Sequence, residues 1–142
     1  MNNIEIPLII TELEKESYHL FFEGVIQNKP VRLLLDTGAS KTVLDKSFLE
    51  EFLPEVIVES SDDITGGLGA SNIKSQYAEI EDFSLQNMPL PNMRTAVLDL
   101  SHVNQSYQRI KQPTIQGIIG SDLLKQFNAI IDYGNSKVVF VK

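Results

Sequence analysis

The sequence of 142 residues contains no cysteine, no tryptophan and only two histidines, His19 and His102. The absence of cysteine excludes disulfides, a thiol nucleophile and thiolate zinc sites, although it leaves the cellular compartment open. The two histidines lie far apart in the sequence and form no H-E-x-x-H pattern, so we predict no metal site and expect both side chains at the surface. These absences leave thiol and metal chemistry without support.

Basic residues are also scarce, because 12 Lys and Arg stand against 19 Asp and Glu, for a formal net charge of −7. Such a charge repels a phosphate backbone, so we predict no nucleic-acid partner. The longest apolar runs have about four residues, far short of the ~20 that a membrane-spanning helix needs. The first residues, Met1 to Pro7, carry an acid and no basic cluster, which is not the pattern of a secretory signal. We therefore expect a cytoplasmic protein with no membrane partner.

The length and the lack of repeats predict that residues 1–142 form a single domain. Apolar residues occur in short runs between turn residues, a pattern that favours strands over long helices. Two short helices are predicted, one with Asp45 as its cap that runs through Phe52, and one with Ser121 and Asp122 as caps that runs to about Phe127. The polar stretch 101–112 is interpreted as a surface loop. Strands are predicted near residues 4–11, 17–27, 31–35, 42–44, 56–58, 73–85, 93–100, 115–119, 129–133 and 137–141.

The most informative pattern is an apolar strand at 31–35 that leads into Asp36-Thr37-Gly38, with a second apolar strand at 42–44. A carboxylate at the end of a buried strand is costly to ionise unless hydrogen-bond donors face it. Gly38 lets backbone N–H groups approach Asp36, and the Thr37 hydroxyl can bond elsewhere to fix the loop. Alone, such a triplet is more often an ordinary turn, since Asp, Thr and Gly are common turn residues.

The triplet is followed about eighty residues later by the segment I-Q-G-I-I-G-S-D-L-L at 115–124. With both segments the chain resembles the retropepsin-like aspartic proteases, the single-domain relatives of pepsin. In that family a strand with an apolar-apolar-Gly ending packs against the Asp-Thr-Gly loop, and Ile118-Ile119-Gly120 matches it. The family also has a glycine-tipped hairpin that folds over the substrate, and Gly66-Gly67-Leu68-Gly69 lies in the corresponding place.

The resemblance implies a mainly β fold: a closed pepsin-like (retropepsin) β-barrel with a glycine-tipped flap hairpin and two short helices. It also implies an aspartic endopeptidase that needs no cofactor and acts on a peptide or protein substrate. The implied catalytic residues are Asp36, Thr37 and Gly38, the implied substrate-binding residues are Gly66, Gly67, Leu68, Gly69 and Ile118, and the implied structural support comes from Ala39, Ile119 and Gly120.

One Asp-Thr-Gly loop is half of what this chemistry needs, because peptide hydrolysis requires two carboxylates about 3 Å apart that share one proton. Pepsin-like chains with two such motifs are about twice as long. The implied enzyme is therefore a homodimer whose two-fold axis passes between two copies of Asp36. Strands 4–11 and 137–141 are the predicted interface, since unpaired strand edges tend to pair with another chain.

The chain departs from the viral members of the family at Ser40 and Ser121. Those members commonly have an acidic residue and an arginine at these places, which pair near the dimer contact. The change affects dimer strength and keeps open an alternative, a catalytically silent retropepsin-fold binding or dimerisation module. The intact Asp36 favours the enzyme, since a silent site has no physical reason to keep a carboxylate there.

Two other motifs are interpreted without catalytic roles. Asp132-Tyr133-Gly134 contains a second D-x-G but no apolar strand follows it, so a plain turn is predicted. Gly67-Leu68-Gly69 lacks the strand–helix context of a nucleotide-binding loop.

Overall fold

The computed structural model describes residues 3–61 and 75–141, and this part of the chain contains thirteen strands and three helices. The helices are α1 (Lys46–Phe52), α2 (Ser101–Arg109) and α3 (Ser121–Gln126). The strands are β1 (Asn3–Pro7), β2 (Ile9–Glu14), β3 (Ser17–Ile26), β4 (Lys29–Leu35), β5 (Val43–Asp45), β6 (Val58–Ser61), β7 (Ser75–Ile80), β8 (Phe83–Leu85), β9 (Met88–Pro89), β10 (Met93–Leu98), β11 (Gly117–Ile119), β12 (Ile130–Asp132) and β13 (Lys137–Val141).

Ten strands form one curled half-barrel sheet in the order β6-β7-β10-β5-β11-β4-β3-β8-β9, with β2 paired to β3. Strand β11 lies parallel to β4 and antiparallel to β5, so a late strand enters between two early ones. The β3–β4 hairpin turns at Gln27 and Asn28, whose φ angles of 47° and 68° match the two-residue turn that suits twisted strands. The late strand therefore ends beside the end of β4, where Asp36 follows.

The end of strand β4 contacts apolar clusters on both faces, which explains the apolar run Leu33-Leu34-Leu35. Successive side chains of a strand point to opposite faces. Leu33 and Leu35 accordingly lie in the main core, whereas Leu34 packs against a second cluster. That second cluster consists of Phe21, Val43, Leu100, Tyr107 and Ile115.

The remaining three strands form a small sheet in the order β1-β13-β12. Asn3 is the register partner of Val141, and Lys137 donates to Glu5 at 2.8 Å. Strand β13 therefore has neighbours on both sides, so the prediction that 137–141 offers an unpaired edge is wrong. The predicted strand 4–11 is likewise two strands, because Leu8 leaves β1 and donates its N–H to Ser136 before β2 joins the larger sheet.

The stretch 101–112 is not a loop, because Ser101–Arg109 forms helix α2. Long-range contacts explain why its polar sequence is helical. The Asn104 side chain accepts from Ile115 N at 2.8 Å and donates to Ile115 O at 3.0 Å, and Tyr107 is buried. The two predicted helices are present as α1 and α3, so the described residues contain three helices rather than two.

The residue before α1, Asp45, does not cap that helix with its side chain. It is buried, and its carboxylate accepts from Leu100 N at 3.0 Å, which fixes the residue where α2 begins. Within the described ranges every helix is too short to cross a lipid bilayer, the longest, α2, having nine residues.

Candidate active site

Asp36 lies at the end of β4 in a tight backbone loop. Its N–H donates to Ile119 O at 3.0 Å, which extends the pairing of β4 with β11 by one residue. Ala39 N donates to Asp36 O at 3.1 Å, and Gly38 N donates to Asp36 Oδ1 at 2.9 Å. The carboxylate is therefore oriented by an N–H of its own loop, as the Asp-Thr-Gly pattern suggests.

The loop is held against the end of β11 by Gly120 and Ser121. Ser121 N donates to Ala39 O at 2.7 Å. A Cβ at Gly120 would lie 2.7 Å from both Ala39 O and Lys41 O, closer than any normal contact. The backbone of Gly120, with φ −100° and ψ −176°, is extended and suits any residue, so the requirement for glycine is one of space.

A partly buried network of hydrogen bonds between Thr42, Asp122 and Gly120 also fixes this junction. Thr42, 2% exposed, donates from N and from Oγ1 to the Asp122 carboxylate at 3.0 and 2.8 Å. Thr42 Oγ1 also accepts from Gly120 N at 3.1 Å. Asp122 was expected to cap α3 and instead joins that helix to the strand that follows the Asp36 loop. Thr42 and Asp122 lie 80 residues apart in the sequence, so no local pattern predicts their hydrogen bonds.

The Asp36 loop opens into a cleft of about 420 Å³. Asp36 and Thr37 line it together with side chains from three other regions of the chain. Those further lining residues are Tyr18, His19 and Leu20 of β3, Leu34 and Leu35 of β4, and Ile131 and Tyr133 at β12. The carboxylate thus lies at a partly exposed position in a concave surface with aromatic and aliphatic walls, which suits a peptide.

His19 is one of these walls, at a half-buried position of the molecular surface. Its Nδ1 lies 2.9 Å from the hydroxyl of Tyr107 on α2, and the two rings meet edge to face at 5.8 Å. The alternation of β3 places His19 on the same face as the buried Phe21. The alternation of β3 was therefore a clue to the position of His19. No comparable clue pointed to Tyr107, because the stretch that forms α2 was interpreted as a loop.

The charges of Arg32 and Asp36 act on the aromatic side chains beside His19. The Arg32 guanidinium lies 4.1 Å from the centre of the Phe21 ring, and its pKa is lowered by burial and raised by Glu23. Burial raises the pKa of Tyr107, Arg32 opposes that rise, and the negative charge of Asp36 adds to it. Tyr107 is therefore a neutral phenol at physiological pH.

The structure brings together one group of the predicted site residues. Asp36, Thr37, Gly38 and Ala39 form the loop, and Ile119 and Gly120 contact it. Thr37 is exposed, and within the described ranges its hydroxyl makes no hydrogen bond. Ile118 packs in the second cluster and does not line the cleft. Gly66, Gly67, Leu68 and Gly69, predicted as the flap tip, lie outside the described residues.

Comparison with known proteins agrees with this geometry. A sequence model of the aspartyl protease family matches residues 22–123, which include the Asp36 loop and the Gly120 junction. No curated protein sequence matches the chain.

Solved structures show the same fold at low sequence identity. A retropepsin-like aspartic protease from Rickettsia conorii is 16% identical with a TM-score of 0.55, over 98% of this chain and 90% of that chain. The retroviral protease-like domain of Ddi1 from Leishmania major is 20% identical with a TM-score of 0.52, over 87% and 93%. EIAV protease, complexed with the inhibitor HBY-793, is 20% identical with a TM-score of 0.53, over 79% and 90%.

These similarities confirm the predicted mainly β, retropepsin-like fold. The family match spans the larger part of the chain and contains both segments that form the Asp36 junction. The chain belongs to the aspartyl protease family.

Proposed function

We propose that the protein is an aspartic endopeptidase that hydrolyses peptide bonds in a homodimer, with one Asp36 from each subunit. The observation that supports this most directly is the placement of Asp36. Its carboxylate lines an open cleft, and the loop that carries it is fixed by backbone hydrogen bonds to Ile119 and Ser121. A rigid, accessible carboxylate is the group that this reaction uses.

The chemistry requires a second carboxylate about 3 Å away, so that the pair shares one proton. One carboxylate takes a proton from the attacking water, and the other, protonated, donates to the scissile carbonyl oxygen. Among the described residues that line the cleft, only Asp36 carries a carboxylate. A second copy of the chain supplies the missing group in this proposal.

The surface that suits this second copy lies along β12. In the small sheet β12 pairs with β13 on one side only. Ile130 and Tyr133 are 57% and 60% exposed there, and Ile131 and Tyr133 line the cleft beside Asp36. Antiparallel pairing of two β12 edges obeys two-fold symmetry and buries these apolar side chains. Because Ile131 of β12 lines the same cleft as Asp36, an axis at this edge would lie on the side of the molecule that carries the Asp36 loop.

The test is Asp36→Asn in a cleavage assay on a mixture of unstructured peptides. The amide cannot act as the base, so cleavage should stop while the melting temperature stays unchanged, because the packing is nearly the same. Asp82→Asn is the matched control, since Asp82 is exposed and its φ of 54° suits asparagine. Equal cleavage by wild type and Asp36→Asn would refute the proposal. A wild type that forms dimers and cuts no peptide would favour the silent binding module instead.

A further inference from the structure

One polar side chain of the cleft, His19, has no part in the two-carboxylate mechanism. It lines the cleft with Asp36 and is held from behind by Tyr107 of α2. The hydroxyl of Tyr107 belongs to a residue that is 4% exposed, and His19 Nδ1 is its only hydrogen-bond partner within the described ranges.

This contact fixes which imidazole nitrogen carries the proton. A buried phenol that donates to nothing loses a hydrogen bond without compensation. Since Tyr107 is neutral, its O–H donates to Nδ1, and Nδ1 must therefore be the unprotonated, accepting nitrogen. In neutral imidazole the proton then resides on Nε2. Among the described residues Nε2 has no hydrogen-bond partner, and His19 lines the cleft, so this nitrogen is available to a bound molecule.

We propose that His19 binds the substrate by donating Nε2–H to an acceptor oxygen of the bound peptide, and that Tyr107 is the positioning residue that holds it in this tautomer. The inference rests on the proposed function, because it places a peptide in the cleft beside Asp36. A donor suits this position, since carbonyl oxygens are the acceptors that every peptide presents whatever its sequence.

The first test reads the tautomer directly and does not depend on activity. Nitrogen-15 NMR of wild type should show an unprotonated Nδ1 and a protonated Nε2 for His19. Tyr107→Phe removes the donor and should give a mixture of the two tautomers. A wild-type His19 with its proton on Nδ1 would overturn the proposal.

The second test compares two amide replacements of His19. The amide of glutamine reaches as far as Nε2, whereas that of asparagine reaches only as far as Nδ1. His19→Asn should raise the KM for peptides roughly three- to tenfold with kcat unchanged, the effect of losing one hydrogen bond in binding. His19→Gln should keep KM within about twofold of wild type. His102→Asn, at an exposed position of α2, is the control and should match wild type.

The two variants also separate binding from a structural role. If His19→Gln and His19→Asn raise KM equally and melt equally early, His19 only supports the fold, and the proposal fails. The same His19 variants can also be combined with Asp36→Asn, and their affinity for the same peptides measured by calorimetry. This measurement of the role of His19 does not depend on cleavage. A wild type that binds peptides without cutting them refutes the endopeptidase. The ratio of His19→Asn to His19→Gln affinities would still decide the role of His19.

Discussion

Replacing Gly120 by alanine tests how tightly the Asp36 loop is fixed to β11. The new Cβ would lie 2.7 Å from Ala39 O, 2.7 Å from Lys41 O and 2.8 Å from Lys41 C. Ordinary C···O contacts are about 3.3–3.6 Å, so the loop must move away from the strand. All three atoms belong to the backbone, and no flexible side chain can rotate to relieve the contact. Ser121 N also loses part of its 2.7 Å bond to Ala39 O.

The expected cost follows from overpacking alone, because the dihedral angles of Gly120 suit alanine. Overpacking a well-packed site costs about 1–3 kcal/mol. For a domain of this size each kcal/mol lowers the melting temperature by about 2–4 °C, so we expect a decrease of roughly 2–12 °C. The rate of peptide cleavage should fall by more than the loss of folded protein explains, because the displaced loop carries the Asp36 carboxylate.

The measurement is thermal unfolding followed by circular dichroism, together with the peptide assay. Gly134→Ala is the matched control, because its Cβ would meet only Asp132 Oδ1 at an ordinary 3.5 Å. Gly134→Ala should therefore melt and cleave like wild type. If Gly120→Ala behaves like this control, the loop is not packed against Gly120 as described, and the reasoning is refuted.

Three further predictions concern assembly, the buried network and pH. Specific activity should fall on dilution as sedimentation shows dimers dissociating, since one chain supplies one carboxylate; flat activity from a monomer would exclude the two-carboxylate mechanism. Asp122→Ala should destabilise the protein by about 1–3 kcal/mol, because it leaves two donors of the buried Thr42 unpaired; combined with Thr42→Val in unfolding measurements, its effect should be less than additive, and strict additivity would contradict the network. Side-chain and backbone donors of Asn135 lower the pKa of Asp132, so this turn stabilises the fold above the ordinary carboxyl pKa and loses that contribution as the pH falls through the lowered value; Asn135→Ala should raise the NMR-measured pKa of Asp132, and an unchanged pKa would contradict the assignment.

The sequence predicted the features that depend on short segments. The Asp36 loop was recognisable because an apolar strand, a carboxylate and a glycine follow one another within a few residues. The closing hairpin from β12 to β13 was recognisable for the same reason, since turn residues separate two apolar runs. In both places local chemistry and tertiary structure favour the same backbone.

The features that were missed depend on contacts between distant segments. Helix α2 has a polar sequence, and it is fixed by the pairing of Asn104 with Ile115 and of Leu100 with the Asp45 carboxylate. The side chain of His19 in turn contacts Tyr107 of that helix. The alternation of β3 placed His19 on the face of Phe21, but no spacing in the sequence pointed to Asn104 or Tyr107 as partners.

Strands β1 and β13 of the same chain pair with each other, so a single chain can form this sheet before it meets a second copy. Strand β13 lies between β1 and β12 of its own chain, and Asn3 pairs with Val141. The protomer therefore forms its small sheet from three strands of its own chain. Below the dissociation constant of the proposed dimer we expect a folded monomer whose melting temperature no longer depends on protein concentration, whereas above it dimerisation raises the melting temperature. If the proposed homodimer is the active form, newly made chains would first accumulate as folded, inactive monomers, and the total amount of protein would determine when proteolysis begins.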